Sequence, residues 1–283
     1  MKPQTQDAPA QGSIYDPAVA LEFFKAAGKP QNVAQGATIF AENEKARPIL
    51  FKRDKMYLLL EGEVSLVAGK KVIGAVRKGE IFGEMAPISQ SPRSATAVAN
   101  TACRLIALDD KEFQSALGKK PAFALMLMSI MIGRLRETIA RLKASSALRG
   151  DGTWKESAAF DPERLAALVR GLEDDPPIYF DRKKPIIKEG QTGMRMYAVL
   201  EGSVAVSIGD SVVERLGPGG VFGELALVEQ SSRLASAVAE TDCSLLPISR
   251  NAFLTLVKTN PEFAASLLSG LAERLKLLTS RLA

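Results

Sequence analysis

Apolar and polar positions divide the chain into alternating helical and strand-like stretches. Residues 1–13 are polar, with Pro, Gln and Gly, and are expected to form a disordered tail. Helical spacing begins at Pro17–Ala27, where Ala20, Phe23, Phe24 and Ala27 share one face. Asp16-Pro17 supplies an N-cap followed by proline at the first helical position. From Ala37 to about Asp109 the pattern becomes short runs of Val, Ile and Leu punctuated by glycine. Within it, Tyr57–Val67 predicts a hairpin with Glu61-Gly62 at its bend. Many closely spaced short strands predict a barrel or jelly roll. Asp109–Ala147 reads as helix, with Pro121 at a helix start and apolar Phe123, Leu127, Ile130, Met131 and Leu135. Arg134, Glu137 and Arg141, at i, i+3 and i+7, predict mutually supporting exposed pairs. Gly150-Asp151-Gly152 breaks this helix. The order then returns as helix (Pro162–Leu172), strands (Ile178–Ile248) and helix (Pro261–Leu282).

The return is a duplication. Tyr57–Asp110 aligns with Tyr197–Arg250 at a constant offset of 140 without a gap, and 22 of 54 positions are identical. Two copies of one domain follow, with a tail at 1–13, a first domain at 14–148, a linker at 149–158 and a second domain at 159–283. The first copy carries extra residues between Ile39 and Tyr57, expected to be a longer loop around Pro48–Arg53.

An apolar fraction of 46% and a charged fraction of 24% fit a soluble globular protein, and 283 residues give each copy a core of its own. The net charge of +5 permits an anionic ligand, but 37 basic residues are offset by 32 acidic ones. Cys103 and Cys243 occupy the same repeat position in apolar strands and read as buried thiols of a reducing cytoplasm. With no histidine anywhere, the usual general base, the Ser-His and Cys-His dyads and most zinc sites are excluded. Neither catalytic residues nor a metal site are expected. Met1–Asp7 has no apolar core of a signal peptide, and the apolar run Ala122–Met128 is too short to cross a bilayer.

The strongest chemistry lies in a repeated cassette. Phe82-Gly83-Glu84-Met85-Ala86, followed by Pro92-Arg93-Ser94-Ala95-Thr96, returns as Phe222-Gly223-Glu224-Leu225-Ala226 and then Arg233-Leu234-Ala235-Ser236. The glycine permits a tight turn and a close backbone approach. The residues after it would start a short helix whose free N–H groups attract an anion. An arginine ten residues on can return across the loop and set its fork of donors on phosphate oxygens. A glutamate would repel a bare phosphate, yet it suits a ligand that also carries hydroxyl donors, such as a ribose. Phosphate and sugar in one short loop imply a compact nucleotide.

These motifs resemble the phosphate-binding cassette of cyclic nucleotide-binding domains, which occur in regulatory subunits of cyclic-AMP-dependent kinase, catabolite activator proteins and cyclic-nucleotide-gated channels. The resemblance covers nearly all of the chain after about residue 14. It implies a mainly β fold with flanking helices: two jelly-roll (double-stranded β-helix) domains in tandem. By position, Glu84 and Glu224 would accept the ribose 2′-hydroxyl, and Arg93 and Arg233 would pair with the cyclic phosphate. Backbone N–H groups around Gly83-Met85-Ala86 and Gly223-Leu225-Ala226 would line it. Pro87 stands where the second copy has Leu227, a position that in the family commonly relays binding to the C-terminal helix. The Ser94 hydroxyl can touch phosphate or a guanine amino group, whereas Leu234 has none. The first pocket is therefore expected to hold ligand better by ~1 kcal/mol, and cAMP is favoured over cGMP. Trp154 has two readings, a lid over the purine of the first site or a linker aromatic. Tyr57 and Tyr197 read as core.

Such domains bias helices that an attached effector reads. A helix-turn-helix module of at least roughly 50 residues is not expected after the last predicted strand. The reading is a non-enzymatic cyclic nucleotide receptor in the cytoplasm that signals to a protein partner through a shift of helix 120–147 or 261–282. No membrane is expected. Arg134, Arg136, Arg141 and Lys143 could face nucleic acid, but Glu137 and the apolar stripe favour an inter-domain helix or a homodimer helix. The alternatives are a ligand-independent scaffold, a nucleic-acid-binding regulator, and a receptor for another cyclic mononucleotide or dinucleotide.

Overall fold

The computed structural model describes residues 16–44, 54–89, 91–120, 122–145, 156–172 and 175–280. The tail, the Pro48–Arg53 loop, Pro121, the Gly150–Gly152 break and Trp154 lie outside them.

The first copy runs α1 (Pro17–Ala27), β1 (Lys29–Val33), β2 (Thr38–Phe40), β3 (Lys55–Glu61), β4 (Val64–Ala68), β5 (Lys71–Val76), β6 (Ile81–Phe82), α2 (Met85–Ser89), β7 (Thr96–Ala99), β8 (Cys103–Asp109), α3 (Asp110–Lys119) and α4 (Ala122–Ala144). After β9 (Glu156–Ser157), the second copy has α5 (Pro162–Gly171), β10 (Ile178–Phe180), β11 (Pro185–Ile187), β12 (Arg195–Glu201), β13 (Val204–Ile208), β14 (Ser211–Leu216) and β15 (Val221–Phe222). It ends with α6 (Glu224–Glu229), β16 (Ser236–Ala239), β17 (Cys243–Ser249), α7 (Arg250–Thr259) and α8 (Pro261–Thr279).

Each copy is a jelly roll of two facing antiparallel sheets. The orders are β1-β8-β3-β6 and β2-β7-β4-β5 in the first copy, and β10-β17-β12-β15 and β11-β16-β13-β14 in the second. The short β9, within the segment read as linker, pairs in parallel with β14. The predicted Tyr57–Val67 hairpin is not formed. β3 pairs with β6 and β8, while β4 pairs with β5 and β7, so the chain passes from one sheet to the other at Gly62. Gly62 has φ +95°, and a Cβ there would stand 2.6 Å from the Ala102 carbonyl oxygen, so only glycine turns this corner.

The unbroken apolar run of β3 also has its reason in the sheet. Tyr57 and Leu59 point between the sheets, with Phe40, Phe82 and Leu105. Met56 and Leu58 point the other way, under the helices. A strand buried on both faces has no polar side to alternate.

Helix boundaries follow side-chain caps. Asp16 and Asp161 cap helices that begin with proline, and Asp109 and Glu112 form a reciprocal capping box for α3. Each cap stabilises its helix by roughly 1 kcal/mol. The helical stretch 109–147 is thus two helices, α3 and α4. Phe23 stacks on Phe123 with ring centroids 3.5 Å apart, and Phe160 on Phe263 at 5.6 Å. The two copies meet along α4 and α8, with α2 against α8 and α6 against α4. The apolar stripe of α4 is therefore an inter-domain surface within one chain. Among the described residues no single helix is long and apolar enough to cross a membrane.

Candidate nucleotide site

Both cassettes are built alike. β6 and β15 end in Phe82 and Phe222, and the next residues, Gly83 and Gly223, adopt φ of 70° and 86°. A Cβ at Gly83 would lie 3.2 Å from Arg93 Nη1, and at Gly223 2.7 Å from Arg233 Nη1. Glycine here permits both the left-handed turn and the approach of the arginine. α2 and α6 follow at once, with Ala86 and Ala226 buried and Met85 and Leu225 half-buried.

The arginines turn inward. Arg93 donates to the Gly83 carbonyl at 2.7 Å and the Lys55 carbonyl at 2.8 Å. Arg233 donates to Gly223 and Arg195 carbonyls at 2.6 and 2.5 Å. They are only 6% and 8% exposed, and burial pushes both guanidinium pKa values down. Each is a desolvated cation whose hydrogen bonds go to neutral carbonyls, with Asp54 Oδ1 also 3.7 Å from Arg93 Nη2, so each can still gain from an anion.

The glutamates are buried more deeply, Glu84 at 0% and Glu224 at 3% exposure. Glu84 Oε1 accepts from Arg134 Nη1, while Arg134 Nη2 donates to the Ile81 carbonyl at 2.8 Å. Glu224 Oε1 accepts from Arg274 Nη1, whose Nη2 donates to the Val221 carbonyl. Arg274 Nε also reaches Glu214 Oε2 at 2.9 Å. Burial opposes the Arg274 charge, but Glu214 and Glu224 together hold its pKa above the usual arginine value. The second oxygen of each cassette glutamate, Oε2, is buried and has no hydrogen-bond partner among the described residues. An orphaned carboxylate oxygen is costly unless a donor is meant to meet it.

Arg134 therefore does not form the expected exposed pairs with Glu137 and Arg141. It crosses into the cassette because the buried Glu84 charge needs a cation. Its counterpart Arg274 keeps the offset of 140, so extending the repeat alignment past Asp110 to Pro121/Pro261, Phe123/Phe263 and Arg134/Arg274 would have revealed both. Of the other basic residues on α4, Arg136 pairs with Glu229 at 2.8 Å and Lys143 with Glu189 at 2.7 Å, across the domain boundary.

Ser94 is exposed, its Oγ 3.9 Å from Met85 Sδ, whereas Leu234 is half-buried. Leu234, Glu224 and Arg233 line a mostly apolar cleft with a cavity volume of about 90 Å³. Leu227 is buried in the central core, and Pro87 is buried in α2. Tyr57 is 5% exposed and stacks on Phe82 at 5.2 Å; the Tyr197 ring, half-buried, stacks on Phe222 at 5.4 Å. Both rings are core. Cys103 and Cys243 are buried free thiols. Among the described residues no group of acidic and cysteine side chains could hold a metal ion.

A desolvated guanidinium, a glycine turn and an unpaired carboxylate oxygen, twice in one chain on eight-stranded jelly rolls, define a ligand-binding module. The family model of the cyclic nucleotide-binding domain matches residues 30–120 and 177–260, and the chain belongs to that family. It is similar to a cAMP-dependent protein kinase regulatory subunit from Eremothecium gossypii, with 29% identity over 205 residues, 72% of this chain and 40% of the relative. It thus spans about two fifths of the length of that curated relative. Similar solved structures include cAMP-bound PfPKA-R, at 25% identity, covering 82% of this chain and 73% of that one with a TM-score of 0.31. Another is the regulatory domain of Toxoplasma gondii PKA with cAMP, at 22% identity, 90% and 89% coverage and a TM-score of 0.33.

Proposed function

We propose that the chain is a non-enzymatic receptor with two sites for a purine 3′,5′-cyclic nucleotide, cAMP in preference to cGMP, and that it signals to a protein partner. Arg93 and Arg233 pair with the cyclic phosphate, and the N–H groups after Gly83 and Gly223 line it. The ribose 2′-hydroxyl donates to the unpaired, buried oxygen of Glu84 and Glu224. That orphaned Oε2, buried in both copies, is the observation that carries the reading. It accepts a hydroxyl and repels a bare phosphate, so it selects a sugar.

The same carboxylates supply the mechanism. Oε1 of each is tied to an arginine of α4 or α8, so one side chain touches both ligand and helix. Ligand that fixes the glutamate favours one position of the helix. The shift is no larger than the ligand's preference for that position. Leu234 supports adenine over guanine, because it offers no partner to the guanine amino group. The kinase regulatory subunit among the relatives makes a kinase catalytic subunit the first partner to test. The two domains at 14–148 and 159–283 and a cytoplasmic setting complete the proposal.

Calorimetric titration with cAMP and 2′-deoxy-cAMP tests it. A hydroxyl bonded to a buried carboxylate contributes about 1.5–3 kcal/mol, so the deoxy ligand is expected to bind roughly 10- to 150-fold more weakly. Equal affinity, or no heat from cAMP, overturns the reading.

A further inference from the structure

The cleft beside Glu224 and Arg233 is not closed by the second copy alone. Leu135 and Ile139, on the last helix of the first copy, are part of its wall. Both are buried, at 3% and 6% exposure. They belong to an apolar cluster with Ile208, Val213 and Leu278 of the second copy, against which Val206 and Leu234 pack. Leu135, Ile139 and Leu142 recur at i, i+4 and i+7 and so form one stripe of α4 turned to the second copy.

Two polar contacts hold this stripe in place. Arg136 Nε donates to Glu229 Oε2 at 2.8 Å, and its Nη2 donates to Ser231 Oγ, in the loop between α6 and Arg233. Further along α4, Lys143 donates to Glu189 Oε1 at 2.7 Å. Glu189 Oε2 in turn accepts from the Gly209 N–H at 2.7 Å, and the Glu189 N–H donates to Ser236 Oγ at 3.0 Å. Ser236 and Ile208, the residue before Gly209, also line the cleft. The helix is thus clamped on both sides of the space it covers.

We propose that α4 of the first copy is a wall of the second site, with Leu135 and Ile139 covering the base of the nucleotide and Arg136 latching that wall to the cassette. The inference rests on the reading of Glu224 and Arg233 as a nucleotide site. The cleft is lined by the charged Glu224 and Arg233, which would meet sugar and phosphate, and by the apolar cluster of Leu135, Ile139 and Val213 with Val206 and Leu234 packed against it. A flat purine has apolar faces that gain by leaving water against such side chains. The second site is then incomplete without the first copy.

The test uses the full chain and cAMP titration, with Arg93→Ala as the background that reports the second site and Arg233→Ala as the background that reports the first. Ile139→Ala is expected to weaken cAMP about tenfold at the second site and to change the first by less than twofold. Unchanged second-site affinity, or equal losses at both sites, overturns the wall. If Arg93→Ala with Ile139 intact binds no cAMP, the nucleotide reading of the second site fails, and the wall with it. Should Ile139→Ala lose its cooperative melting transition, Arg136→Ala decides, since it frees the latch without emptying the wall. A loss of threefold or more confined to the second site supports the proposal, and anything smaller overturns it.

Discussion

The two cassettes share their arginine, glycine and glutamate but place an additional carboxylate at opposite ends. In the first, Asp54 Oδ1 lies 3.7 Å from Arg93 Nη2, and the guanidinium also rests on the Phe40 ring, 4.3 Å from its centroid. The position matching Asp54 in the second copy is Met194, which is 68% exposed. There the guanidinium of Arg233 faces Gly193, whose hypothetical Cβ would stand 2.2 Å from Nη2. The second copy instead spends its carboxylate, Glu214, on the helix arginine Arg274, where the first has only Gly74. On the proposed reading, a phosphate entering the first site would compete with Asp54 for its arginine, while the second copy has Met194 at that position. Among the described residues, the helix arginine is held by two carboxylates in the second copy and by one in the first.

Asp54 beside Arg93 weighs against the sequence-based expectation that the first site is the stronger. The Ser94 hydroxyl is exposed beside Met85, whereas Asp54 is buried against the Arg93 guanidinium. We expect the second site to bind more tightly. It is also the one that Leu234 and the α4 stripe enclose.

The largest effect that would break the comparison is on the helix arginines. Arg274→Met leaves Glu214 and Glu224 buried without their cation and is expected to cost about 3–5 kcal/mol in urea unfolding. Arg134→Met strands only Glu84, and the Arg134 side chain is 32% exposed, so its cost is expected to be smaller. Equal losses would show that Glu214 contributes nothing. Next come the phosphate arginines. Arg93→Ala and Arg233→Ala are each expected to remove one cAMP site by 100-fold or more, about 2.7 kcal/mol. Cyclic AMP binding that survives either change at both sites would separate these residues from the ligand.

A smaller effect sharpens the contrast between the arginines' neighbours. Asp54→Asn is expected to tighten the first site about fivefold, roughly 1 kcal/mol, and Met194→Asp to weaken the second by a similar factor. No change in either would mean that the carboxylate does not compete with ligand. The smallest effect concerns the inter-domain clamp. Burial opposes the Glu189 charge, yet Lys143 and the Gly209 N–H hold its carboxyl pKa below the usual value of 4.5. A depressed folded pKa stabilises above the unfolded value and is lost as pH falls through the folded one. Glu189→Gln should therefore cost stability near neutrality, under about 1 kcal/mol for this partly exposed pair. The difference from wild type should shrink below pH 4.5. A difference independent of pH would exclude the ion pair as its cause.

Much of this was legible in the residues because the chain repeats. A conserved offset between copies placed Gly83, Glu84 and Arg93 opposite Gly223, Glu224 and Arg233 with no structural knowledge. Proline after a capping side chain marked α1, and the same arrangement, Asp161 before Pro162, caps α5. What escaped was decided by partners distant in sequence. β1 (Lys-Pro-Gln-Asn-Val) has no alternation of its own and is a strand because β8 pairs with it. Gly62 looks alike at a hairpin bend and at a corner between sheets; only the pairing of β3 with β8 separates the two. Arg134 shares its spacing with surface ion pairs, and the buried Glu84 that captures it is 50 residues away. Asp54 sits beside the extra loop of the first copy, just outside the gap-free alignment, so its contrast with Met194 was not visible there.

The most direct test is the number of nucleotides retained per chain, read by native mass spectrometry with cAMP in excess. The account predicts two for wild type, one for Arg93→Ala, one for Arg233→Ala and none for the double variant. Two bound nucleotides on the double variant, or none on wild type, would contradict it.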